Sequence, residues 1–180
     1  MWLRDVRPTD LEAYVRMRCD PAMMAELGGP RPRDEIDAKV QRDVATAESG
    51  VGWILMILPD PAEPDTVAGT VVLWSNEDHG EPFSEVGWMV LPEFQGRGVG
   101  KAAVRLLLER ARDDGRWGEV HAFPAVSNAP SNGICRALGF TLVGAEQVVF
   151  AGDVLQSNHW RVDPRTLALR PPSALLNPLE

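Results

Sequence analysis

Cysteine is scarce: Cys19 and Cys135 are the only two in 180 residues. That excludes a disulfide-stapled scaffold, and with three histidines and no Cys/His spacing the chain carries no metal-site pattern. Free thiols in a cytoplasmic protein are the expectation. Tyrosine occurs once, as Tyr14, and lysine only as Lys39 and Lys101. The 18 basic side chains are outnumbered by 26 acidic ones, a net charge of −8 with a pI near 4.9. The basic patch of a nucleic-acid binder is missing. Acidity instead suits a cationic partner such as an amine. No apolar run approaches the roughly 20 residues needed to span a bilayer. Met1-Trp2-Leu3-Arg4 lacks the shape of a signal peptide, because charge and Pro8 arrive before any apolar segment. Internal repeats, low-complexity tracts and interdomain linkers are also missing. The preference for Arg over Lys, with 15 Pro and 16 Gly, is the bias of a GC-rich bacterial genome and says nothing of mechanism.

What is present reads as one globular domain over residues 1–163, followed by a loosely ordered Pro-rich tail over 164–180. Trp2 to Val6 is a strand. Thr9 and Glu12 have the spacing of a capping box for a helix to about Cys19. Ile36, Val40 and Val44 mark a second helix ending near Gly50. Gly52–Leu58 and Val67–Trp74 are strands joined by a stiff Pro-rich turn. Ser75 to Ser84 is a polar loop in which His79 is solvated, and Glu85–Val90 is a further strand. Val104, Leu107, Leu108 and Ala111 form the apolar stripe of a helix that Gly115 caps. Glu119–Phe123 is a short strand and Pro130–Leu138 a helix. Phe140–Phe150 and Ser157–Val162 are a closing antiparallel pair. The order β-α-α-β-β-β-α-β-α-β-β is an α+β (α/β mixed) chain with a mixed sheet.

The most informative stretch is Gln95-Gly96-Arg97-Gly98-Val99-Gly100-Lys101, which follows a strand and opens a helix. Unpaired amides at a helix start, together with the helix dipole, hold a pyrophosphate, and glycines let the backbone approach it closely. A Walker A loop does not fit, because Lys101 is followed by Ala102 and Gln95 stands where its first Gly belongs. A dinucleotide fingerprint does not fit the Gly-x-Gly-x-Gly spacing either. The other reading is a Gly-rich turn without a ligand.

The stretch resembles the Gln/Arg-x-x-Gly-x-Gly/Ala signature of the Gcn5-related N-acetyltransferases (GNAT), with Gln95, Gly98 and Gly100 on its defining positions. A second segment, Asn128-Ala129-Pro130-Ser131 through Leu138-Gly139-Phe140, resembles that family's Asn-x-x-Ser…Leu-Gly-Phe. The Asn-x-x-Ser spacing and Ser157-Asn158-His159-Trp160-Arg161 resemble the ribosomal-protein N-terminal acetyltransferase (RimJ/RimL-like) branch. The resemblance runs from about Leu3 to Val162. It implies a mostly antiparallel twisted sheet of about seven strands, splayed between strands 4 and 5 and flanked by about four helices.

The resemblance also implies roles. Gly96, Arg97, Gly98, Val99, Gly100 and Lys101, with Gln95, cradle the pyrophosphate of acetyl-CoA. Trp88, Met89 and Val90 line the thioester, with a free amide of Met89 or Val90 polarising its carbonyl. Asn128 contacts the cofactor arm, or is an ordinary helix cap. Many relatives carry a tyrosine general acid seven residues after that Asn; here the position is Cys135. Ser131 or Cys135 then steadies the departing thiolate, although Cys135 is equally read as a small buried residue. Glu85 is the candidate base, or a solvated edge residue, and Glu146 is a second candidate. His121 lines the cleft or is structural, and His159 lies in the closing strand. The implied activity is acetyl-CoA-dependent transfer to a primary amine, small molecule or protein N-terminus, by direct attack in a ternary complex, without metal, nucleic acid or membrane. A homodimer is common in the family. The rival is a non-catalytic acyl-CoA-binding sensor or interaction module of the same fold.

Overall fold

The computed structural model describes residues 1–60, 62–78, 81–150 and 152–167. Seven strands form one sheet: β1 (Trp2–Asp5), β2 (Gly52–Leu58), β3 (Gly69–Asp78), β4 (Glu81–Val90), β5 (Val120–Ala122), β6 (Thr141–Phe150) and β7 (Asp153–Val162), in the spatial order β1-β2-β3-β4-β5-β7-β6. Every neighbour pair is antiparallel except β4–β5. Four helices, α1 (Leu11–Arg18), α2 (Ile36–Ser49), α3 (Val99–Asp114) and α4 (Ala129–Ala137), cover the two faces. Among the described residues no helix is long and apolar enough to cross a membrane.

The alternation of β2 sorts the two cores. Trp53, Leu55 and Ile57 pack with Val104, Leu107 and Leu108 of α3 and with Cys135 of α4. Ile54, Met56 and Leu58 pack with Tyr14 and Met17 of α1 and with Ile36, Val40 and Val44 of α2. β2 is therefore buried on both faces, which is why it reads as an uninterrupted apolar run. The apolar stripe of α3 is buried as its spacing predicts, and Gly115 ends the helix in the left-handed region at φ 79°.

Three expectations change. The loop expected over Ser75–Ser84 is instead the extension of β3 and β4, in register from Gly69↔Val90 to Asp78↔Glu81. Polar composition misleads there because a strand pair that outruns its covering helices has no apolar face to show; His79 lies outside the described residues. The Thr9 capping box does not form. The buried Asp10 carboxylate does that work, accepting from the Arg7 amide at 2.7 Å and from Arg4 through both guanidinium arms at 2.7 and 2.8 Å. Finally, the first residues of the expected tail are not loose: Leu167 packs against the α3/α4 core. From residue 168 the tail lies outside the described residues.

The parallel ladder between β4 and β5 is short, consisting of Ser84↔Val120 and Glu85↔His121. Beyond Glu85 the two strands part, so residues 86–90 of β4 have a neighbour on the β3 side alone.

Candidate active site

The glycine stretch links the splayed end of β4 to α3. Gly96 and Gly98 take φ 70° and 77°, a left-handed backbone that costs roughly 1–2 kcal/mol for other L residues. Gly98 is the N-cap of α3, and the first bond into the helix runs from the Ala102 amide to the Gly98 carbonyl at 3.0 Å. Among the described residues the amides of 96 to 101 have no hydrogen-bond acceptor. A Cβ at Gly96 or Gly98 would meet nothing within 4 Å, so the space before the loop is open. Unpaired donors, a 16-residue helix dipole and open space together fit a diphosphate. Gly100 differs, since a Cβ there would lie 3.1 Å from Ile134 and 3.3 Å from Val90. Its role is to let α3 close on β4 and α4. Gln95 does not face the open space with its donors. Its Nε2 donates to the Val90 carbonyl at 2.8 Å and to the Met23 sulfur at 3.7 Å, latching the loop to the end of β4.

Strand alternation decides which β4 amides are free. The Leu91 amide donates to the Ala68 carbonyl at 2.9 Å. Alternate residues of an antiparallel strand bond the same neighbour, so Met89 and Gly87 also turn their polar groups to β3. Trp88 and Val90 turn theirs into the gap. Between the two residues expected to present an amide, the register selects Val90, and it sends the Met89 side chain into the α1/α2 core.

Across the gap, Asn128 caps α4 by accepting the Ser131 amide at 3.0 Å. The Ser131 hydroxyl has no hydrogen-bond partner among the described residues. Asn132 is a buried hub that sequence reasoning missed. Its amide donates to the carbonyls of Ala125 and Asn128, and its oxygen accepts from Asn158 and Trp160 at 2.8 and 2.9 Å. No local pattern marks such a residue, since both side-chain donors to its oxygen come from β7.

On the α1/α2 face, Glu85 and its register partner His121 lie side by side, because Val86, Val120 and Ala122 occupy the other face. Glu85 accepts from Asn76 Nδ2 at 2.7 Å. Burial pushes its carboxyl above the ordinary value, and the Asn76 bond opposes this. His121 contacts His159 of β7, which in turn lies 3.2 Å from Glu146 of β6. Phe83 and Phe123 stack on these imidazoles with ring centroids 4.7–5.1 Å away.

The family profile described as "Acetyltransferase (GNAT) domain" matches residues 1–141. The chain belongs to the GNAT acetyltransferases. Solved structures share the fold. An acetyltransferase of the GNAT family from Bacillus anthracis superimposes with a TM-score of 0.72 at 15% identity, over 90% of this chain and 93% of that one. The ribosomal L7/L12 α-N-protein acetyltransferase RimL, in complex with coenzyme A, gives 0.74 at 19% identity over 91% and 93%. A ribosomal-protein-alanine N-acetyltransferase from Brucella melitensis gives 0.72 at 20% identity over 91% and 99%.

Among the GNAT acid candidates, the geometry separates Ser131 from Cys135. Ser131 stands in the first turn of α4 with a free hydroxyl. Cys135 is fully buried in the α3/α4 core, and burial pushes its thiol up to about 12. A donor held that high is a poor match for a thiol leaving group, whose ordinary pKa is about 8.5. Of the two base candidates, Glu85 sits at the mouth of the splay, whereas Glu146 reaches it only through the two histidines.

Proposed function

We propose that this GNAT chain is an acetyl-CoA-dependent N-acetyltransferase acting on a primary amine by direct attack in a ternary complex. The observation that carries the reading is the row of acceptor-free amides at residues 96 to 101 beside the parted β4 and β5. Acetyl-CoA supplies an activated acetyl thioester. The loop amides, with Arg97 and Lys101 adding charge, bind the diphosphate. Trp88 and Val90 orient the acetyl arm, and the Val90 amide points at the thioester carbonyl as an oxyanion donor. Asn128, whose side-chain oxygen is occupied by the Ser131 amide, keeps its NH2 for the cofactor arm. Glu85 takes the ammonium proton, directly or through one water, so that the amine lone pair can form the new C–N bond. As the C–S bond breaks, the Ser131 hydroxyl donates to the departing sulfur.

The test has two arms. Calorimetry with coenzyme A should show binding to the wild type and loss of binding in Gly98→Glu, whose side chain enters the open space and repels phosphate. Unchanged affinity in a folded Gly98→Glu would overturn the loop assignment. Release of CoA thiol on a panel of amines should show turnover. Tight CoA binding without turnover on any amine would favour the non-catalytic sensor instead.

A further inference from the structure

The α1/α2 face holds a cavity of about 800 Å³, within the range of small-molecule sites. Ile54, Val72 and Trp74 of the sheet make its apolar wall, and Arg18, Lys39 and Asp43 of the helices its charged one. The charges do not cancel. Asp43 is taken by the Tyr14 hydroxyl at 2.7 Å and by Lys39 Nζ. Arg116, at the rim, pairs with Asp114 at 3.1 Å and donates to the Gly50 carbonyl. The Arg18 guanidinium makes no hydrogen bond and no ion pair within 4 Å among the described residues, while the Arg18 carbonyl accepts from the Arg31 amide at 2.8 Å. Burial weighs most against the Arg18 charge, Tyr14 and Asp43 oppose that shift without bonding it, and Arg31 adds to it. Arg31 has a buried Nη2 without a partner, and the buried Trp117 indole N–H, on the cavity lining, lacks one too. A half-buried cation that lines a cleft and bonds no carboxylate of its own marks a functional site, and the partner it calls for is an anion. Among the lining residues, with Lys39 paired to Asp43 and Arg116 to Asp114, the surplus is the one positive charge of Arg18.

The cavity is lined by β3, the strand next to the proposed base. Trp74 is the register partner of Glu85 and Val72 that of Gly87. At Gly87 the Val72 methyl and the Trp74 ring close over the bare backbone, so that a Cβ there would lie 3.2 and 3.4 Å from them. One strand spacing, about 4.8 Å, separates β3 from β4. We propose that this cavity receives the acceptor, a small amine carrying a carboxylate beside a flat apolar body, with Arg18 as the counter-ion of that carboxylate. The assignment of the amine rests on the acetyltransferase reading; the carboxylate site stands without it.

Two probes differing in one group test the site by calorimetry on the full chain: N-acetyl-L-tryptophan and N-acetyltryptamine. The wild type should bind the carboxylate probe roughly 10- to 100-fold tighter, the range of one charge-assisted contact. Arg18→Gln should erase that preference and Arg18→Lys retain part of it. Equal affinity for both probes, no binding of either at millimolar concentration, or a preference untouched in folded Arg18→Gln would each overturn the proposal. Should Arg18→Gln fail to fold, the wild-type pair alone decides. Turnover is read separately with L-tryptophan and tryptamine. Faster turnover of L-tryptophan supports the site. Turnover of tryptamine at an equal or higher rate overturns it and leaves the acetyltransferase intact. A carboxylate preference in binding with no turnover on any amine supports the site and counts against the acetyltransferase.

Discussion

His121 Nδ1 lies 2.8 Å from His159 Nε2, joining β5 to β7 on the face that carries Glu85. Glu146 Oε1, 3.2 Å from His159 Nδ1, requires a hydrogen on that nitrogen. In the neutral pair His159 therefore accepts through Nε2, His121 donates through Nδ1, and His121 Nε2 keeps its lone pair. Glu119, 3.5 Å from that nitrogen and also paired with Arg161, favours its protonation. Burial and His159 win, and the His121 pKa lies below its ordinary value.

A pH dependence of stability follows. Below about pH 6.5 the unfolded chain takes up a proton at His121 that the folded chain refuses. The contribution is complete above that pH and is lost as pH falls toward the depressed folded value. Urea denaturation across this window should show wild-type stability falling with pH, and His121→Phe should fall less steeply. The difference is bounded by one proton, about 1.4 kcal/mol per pH unit. Identical slopes would show that His121 is not held neutral.

The base role proposed for Glu85 requires its ionised form, and its pKa is raised. The rate kcat/KM should therefore rise with pH through a limb lying above the usual carboxylate range. Glu85→Gln should lower kcat by about 10²–10⁴ and abolish the limb. Asn76→Leu removes a bond that favours the carboxylate, so the limb should move to higher pH. A wild-type-like profile in Glu85→Gln would assign the base elsewhere.

Ser131→Ala should reduce kcat roughly tenfold or more with little change in CoA affinity, since the donor it removes is the one proposed to meet the leaving sulfur. Cys135→Ala should leave kcat within about threefold while lowering stability by about 1 kcal/mol through lost core packing. Alkylation of the native protein should modify the half-buried Cys19 first. Steady-state kinetics showing the reverse pattern would restore Cys135 as the acid.

Asn132→Leu should cost about 2–4 kcal/mol, because it strands the buried Trp160 Nε1 and removes the bonds to Asn158 and to the Ala125 carbonyl. Thermal unfolding reads the loss. The same variant should raise KM for acetyl-CoA, since the network holds the start of α4 against β7.

Legibility follows sequence distance. The stripe of α3, the run of β2 and the glycine opening of α3 were readable because each is written by residues a turn or a strand apart. The hairpin end at Ser75–Ser84 was not, because those strands pair beyond the covering helices. The choice of Val90 over Met89 needed the Leu91–Ala68 bond, which sets the direction of alternation for the whole strand. His121 and His159 stand 38 residues apart, and only the β5–β7 pairing brings their rings together.

By itself the sequence determined the order of elements, their buried faces and the glycine turn that opens α3, since periodicity and φ preference are properties of neighbouring residues. Tertiary structure alone decided where β4 leaves β5, which amides that leaves without partners, and which charge on α1 goes uncancelled. Those depend on register and on the sum of charges gathered from separate segments, and neither quantity exists until the segments are packed.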